Sequence, residues 1–108
     1  MADFNEIFEE LKDNATKLIK LTVSNFKDQA EKDTKKFLEE SKDNLERWTR
    51  LLINGELSTS EFEFLVESQK DLLVLNALRQ SGLAKIRVDH FKNSLLNLIV
   101  DTIFNKVL

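Results

Sequence analysis

Large or small apolar residues recur every eleven positions along the first half of the chain, at Phe4, Ala15, Phe26, Phe37 and Trp48. Eleven residues make three turns at about 3.67 residues per turn, close to the natural winding of an α-helix. Such positions share one stripe of a nearly straight helix. Ile7, Phe8, Leu11, Leu18, Ile19, Val23, Ala30, Leu45, Leu51 and Leu52 fill that stripe at steps dominated by three and four, as one helical face requires. Acid-first pairs at i, i+4 support the polar side: Asp13–Lys17, Asp28–Lys32, Glu31–Lys35, Asp43–Arg47 and Glu46–Arg50, each worth about 0.2–0.5 kcal/mol. Between Lys27 and Asn44 the stripe thins to Ala30, Phe37 and Leu38, so this is expected to be the weakest stretch. No Pro occurs, and no Gly before Gly55. The pattern predicts a helical arm over about 3–53.

Asn54-Gly55 ends that arm, Gly being suited to the left-handed position after a helix. Leu57-Ser58-Thr59-Ser60-Glu61-Phe62 then reads as a fresh start. Ser58 and Glu61 have the spacing of a capping box, and Leu57 and Phe62 that of a hydrophobic staple. A second arm is predicted over about 59–107. Its first half, Phe62 to Leu78, is apolar nearly all the way round, and its last part repeats Leu95, Leu96, Ile99, Val100, Ile103, Phe104 and Val107.

The expected fold is all-α and a single domain over 1–108. In one form it is a long antiparallel helical hairpin, each arm about 75 Å at 1.5 Å per residue. It would set Phe4–Val23 against Leu95–Leu108, with Ala30 near Gly82 and Ala84. The alternative is a three-helix bundle with a break at Gly82, where Ser81-Gly82 can end a helix but no Ser, Thr, Asp or Asn follows to cap the next. An isolated hairpin would leave a large apolar surface open, which marks an interaction site. Phe62, Leu65, Val66, Leu72, Leu73, Leu75, Leu96, Ile99, Ile103 and Phe104 are the expected interaction surface, closed by self-association into a homo-oligomer, a dimer above all.

Composition narrows the function. Hydrophobic residues at 42% and charged residues at 32% describe a globular chain, not a disordered one. The net charge of −3 is mixed along the length, which offers no basic patch to nucleic acid and no broad attraction to anionic lipid. Without Cys there is no disulfide, zinc-finger or thiol chemistry. The opening MADFNEIFEE lacks the basic and apolar regions of a secretory signal, and Leu95–Leu108 is too short and too polar to span a bilayer. The expected location is cytoplasmic.

Candidate chemistry is sparse. His90 is the single imidazole, with Arg87 where a Glu-x-x-His metal motif needs Glu. Glu9-Glu10 and Glu39-Glu40 diverge by about 100° round their helices and read as solvated faces. Asp101 shares a polar back face with Asn97 and Asn105, Trp48 reads as core, and two glycines 27 positions apart make no phosphate loop. Neither cofactor nor metal is expected, nor enzymatic activity. FKDQAEKDTKK followed by FLEESKDNLER at 26–47 resembles the eleven-residue amphipathic repeats of apolipoproteins and desiccation-protective proteins, which implies helices able to lie on a lipid surface. The leading functional expectation is therefore a non-enzymatic interaction, adaptor or assembly module. A lipid-interface protein is the alternative.

Overall fold

Where the pattern predicts one unbroken helix over 3–53, the chain turns back on itself at Val23–Phe26. The computed structural model describes residues 3–108, with α1 at Phe4–Thr22, α2 at Lys27–Ile53, α3 at Thr59–Glu67, α4 at Asn76–Gln80 and α5 at Lys85–Val107. Short 3₁₀ turns occupy Ser24–Phe26 and Ser68–Asp71, and the described residues contain no strand. The molecule measures 43 × 23 × 20 Å, far short of a 75 Å hairpin. The all-α bundle is as expected, and the extended hairpin gives way to a shorter, thicker packing. The reason is burial: folding back lets the α1 stripe reach α2 and α5 of the same chain, and most helical stability comes from such packing.

Six residues of α1 are buried, Phe4, Ile7, Phe8, Leu11, Ala15 and Ile19, all on the expected stripe. α1 lies antiparallel to α5, as Glu10 to Lys106 (2.8 Å), Asn14 Nδ2 to Thr102 Oγ1 (3.1 Å) and the Thr22 carbonyl to Arg87 (2.9 Å) record along its length. The expected pairing of Phe4–Val23 with Leu95–Leu108 is thereby formed. On its other side the Phe8 ring sits beneath two ammonium groups, Lys12 at 5.1 Å and Lys42 of α2 at 5.0 Å. The thin section of the α2 stripe is completed by buried polar residues, Asp33, Thr34 and Ser41. Of the five i, i+4 pairs read from the sequence, Glu46–Arg50 alone closes, at 3.5 Å, among the described residues.

α2 ends in a Schellman arrangement. Gly55 has φ 77°, its N–H donates to the Leu52 carbonyl, and the Glu56 N–H donates to the Leu51 carbonyl. The predicted capping box is present: Glu61 N–H donates to Ser58 Oγ at 3.1 Å, and Ser58 N–H to Glu61 Oε1 at 3.0 Å.

The second arm breaks twice. Leu72-Leu73-Val74-Leu75 cannot place four consecutive apolar side chains on one helix face, since neighbours diverge by about 100°. Outside a helix they alternate, with Leu73 and Leu75 buried and Leu72 and Val74 exposed. The second break is at Gly82, the position named in the three-helix alternative, where φ is 94°. A Cβ there would meet nothing within 4 Å, so Gly82 serves the turn and not a close approach to Ala30. α5 then starts at Lys85, and Ala84 before it offers no side-chain cap, as the residues after Gly82 foretold. Between the breaks, α4 takes its cap from elsewhere in the chain. Asp33 of α2 accepts the Ala77 N–H at 3.2 Å and the Leu78 N–H at 2.9 Å, one on each carboxylate oxygen.

Candidate interaction surface

Seven of the ten residues expected to face a partner are in the chain's own core. Phe62, Val66, Leu73, Leu75, Leu96, Ile99 and Ile103 are buried, while Leu65 and Phe104 are half-buried against the same cluster. Leu72 alone is open, at 58%. The cause is the packing of α3 onto α5, with the Phe62 and Phe104 rings 5.5 Å apart. The long arm in which these residues had no neighbour does not exist here, because the same chain supplies the neighbours.

What remains open is, Leu72 apart, a different set: Leu21, Phe64, Leu72, Val74, Ile86 and Leu108 are each at least half exposed. Phe64 is the one aromatic among them, 72% exposed on the outer side of α3. It stands at the edge of a shallow depression of about 430 Å³ lined by Leu57, Ser60, Glu61, Phe64 and Leu65. α3 can hold Phe64 there because Phe62 and Val66 face inward, which turns position 64 to solvent. Leu57 and Leu65 pack partly on the core and leave the rest of their surface to the depression. Glu61 borders it as an anion. The Ser58 backbone N–H, and after it the Ser58 hydroxyl, hold its carboxyl below the usual carboxylate range.

A second open cluster lies at the far end of α1. The Arg87 bond to Thr22 brings Leu21 and Ile86 to the same end of the molecule, beside a groove of about 250 Å³ lined by Thr22, Val23, Ile86, Arg87, His90 and Phe91. His90 is exposed on this rim. Between α1 and α2 a cleft of about 330 Å³ is lined by Lys12, Ala15, Thr16, Ile19, Glu31, Thr34, Lys35 and Leu38. The Thr34 hydroxyl, buried at its edge, has no hydrogen-bond partner among the described residues.

Trp48 is buried, as expected of core, and Asp101 is exposed on the polar back of α5. Glu9 and Glu10 make separate ion pairs with Lys12 and Lys106. Among the described residues no three His, Asp or Glu side chains converge as a metal site would require, and no helix is long and apolar enough to cross a membrane.

Phe64 is not part of the surface that the sequence pattern predicts, although Phe62 and Leu65 on either side are. The missing signal was register. With the Ser58 capping box fixing the start of α3, Phe62 and Val66 share a face that excludes Phe64. Comparison with family models, curated proteins and solved structures yields no significant match in any of the three.

Proposed function

We propose that this chain is a non-enzymatic, self-associating interaction module whose contact face is the outer side of α3. The observation that carries the reading is Phe64, 72% exposed beside the depression between Leu57 and Leu65. An aromatic knob adjoining an apolar hollow on one face is self-complementary. Under a two-fold axis each Phe64 enters the hollow of the other copy, which is how isologous interfaces form. Aromatic anchors in desolvated pockets dominate the energy of protein contacts. Glu61 at the rim makes the contact salt-sensitive: two such carboxylates repel across the axis, and added salt screens that repulsion. Self-association therefore strengthens with ionic strength, whereas docking of a cationic partner weakens.

The lipid-surface alternative asks for an apolar helix face open to solvent. The stripes of α1 and α2 are turned into the core, which leaves that alternative the lesser reading.

Light scattering on a size-exclusion column tests the proposal. The expected result is a mass twice 12.6 kDa that falls to the single-chain value in Phe64→Asp, with the helical circular dichroism unchanged. A natural chain that stays at 12.6 kDa over the whole accessible concentration range would refute self-association.

A further inference from the structure

We infer that α1 can be exchanged between two copies of this chain, with the Val23–Phe26 turn as hinge. This goes beyond the α3 contact and does not use it.

The turn is not written by any residue that breaks helices. Thr22-Val23-Ser24-Asn25-Phe26-Lys27 contains neither Gly nor Pro. Neither Val23 nor Phe26 makes a side-chain capping bond, and both keep negative φ, −135° and −125°. The contrast is with the turns at Gly55 and Gly82, which both require positive φ. What holds the bend comes from other parts of the fold. Val23 is buried, Phe26 rests on the core, and Arg87 of α5 donates to the Thr22 carbonyl left open at the end of α1.

The inward-facing stripe also runs through the turn in phase. Ala15, Ile19, Val23, Phe26, Ala30, Thr34 and Phe37 follow at steps of four, four, three, four, four and three, and all but the half-buried Phe26 are buried. A chain that had only to bend here would be free to lose phase across the bend. This one keeps the spacing of a single helix with about 3.67 residues per turn.

The geometry accommodates exchange. α1 and α2 are antiparallel neighbours: Phe4 and Ile7 lie by Thr49 and Ile53, Phe8 by Lys42, and Ile19 by Glu31 and Thr34. If the turn straightens, residues 4–53 form one helix of about 75 Å. Two such helices, antiparallel about a two-fold axis at Ser24–Asn25, place each α1 in the slot vacated on the other copy. There α1 meets the other chain's α2 and α5 through the contacts it makes at home, including Asn14–Thr102 and Glu10–Lys106. The exchange remakes the α1 packing between chains. It gives up the Arg87–Thr22 bond and gains the helical bonds of the straightened hinge. Short hinges favour such swapping and longer ones suppress it.

The absence of native Cys makes a direct test practical. The chain carries Phe64→Asp to remove α3-mediated association, and E10C and K106C to replace the ion pair that joins α1 to α5. It is refolded from denaturant at high concentration, coupled with a short bismaleimide, and run on a denaturing gel. Ser24 and Asn25 are exposed, so the hinge can be varied without touching the core. The pair Ser24→Ala and Asn25→Ala favours the straight helix, and with two hinges per dimer it raises the dimerisation constant by at least about tenfold. Two glycines inserted after Ser24 act in the opposite sense. The expected result is an interchain cross-link in the dimer fraction, enriched by the alanine pair and lost on insertion. Cross-links that stay within one chain in the alanine variant at every concentration, or an interchain product indifferent to the hinge, would overturn the exchange. Either outcome leaves the α3 contact to be judged by its own Phe64→Asp mass measurement.

Discussion

Asp33→Ala should be among the most damaging substitutions of a charged residue in this protein. Asp33 is only 7% exposed, and its two carboxylate oxygens accept the Ala77 and Leu78 N–H groups at 3.2 and 2.9 Å. α4 has no cap of its own, since Leu75 precedes it and makes no side-chain bond. Removing the carboxylate leaves two helix-start donors without an acceptor, one of them on fully buried Leu78. Hydrogen bonds to a charged acceptor contribute about 1.5–3 kcal/mol each, offset here by the cost of desolvating the carboxylate. A net loss of about 2–4 kcal/mol follows, a large share of the roughly 5–15 kcal/mol typical of a domain. Asp33→Asn keeps the shape and one acceptor, so it should lose roughly half as much. In urea, at about 1–3 kcal/mol per molar, the alanine variant should lower the midpoint by about 1–2 M with the slope unchanged. Hydrogen exchange supplies the local readout. Amides of 76–83, released as a unit, should accelerate more than those of α1 and α5. A midpoint within the error of the natural chain, or acceleration spread evenly over all helices, would show that Asp33 does not pin α4.

Two paired comparisons extend the same reasoning. Leu73 is fully buried and Leu72 is 58% exposed, so Leu73→Asp should unfold the chain or lower its melting temperature sharply while Leu72→Asp changes it little; equal effects in calorimetry would mean that the alternation at 72–75 is misplaced. The capping box should weaken in acid. Folding lowers the Glu61 pKa from its ordinary 4.5, so its contribution is present above that value and disappears as pH falls through the folded pKa. Exchange at the α3 amides should then rise with acidification beyond the intrinsic rate change in the natural chain, and should lack that step in Glu61→Gln.

Local chemistry was legible wherever a backbone group and a nearby side chain settle the matter between themselves. The Gly55 turn and the Ser58–Glu61 box lie within a few residues of their partners, and both are where the pattern puts them. The face of α1 was legible too, because one periodic stripe suffices to say which side is buried. The bend at Val23–Phe26 was not. No residue in it is a breaker, and its support comes from Arg87 and from the core, more than sixty positions away for the Arg87 bond. The run at 72–75 misled for a related reason: read as helix it exposes apolar side chains, whereas read as alternating backbone it hides half of them. A helix through 72–75 therefore predicts an interaction surface made mostly of residues that are in the core.

Polar residues at helical spacing explain why the middle of α2 was undervalued. Asp33, Thr34 and Ser41 interrupt the apolar stripe in sequence but continue the buried face in space. From this face the Asp33 carboxylate reaches the backbone at the start of α4. A buried carboxylate is tolerated only where donors await it, and those donors lie 44 and 45 residues further along the chain. Hydrophobic periodicity scores such a position as a gap. The same blindness applies to Phe64, which counts as one more apolar residue in a rich segment until the register of α3 turns it outward. In both places the sequence contains the right residue, and the fold decides whether it is a gap in the core, a cap for another helix, or a contact for another molecule.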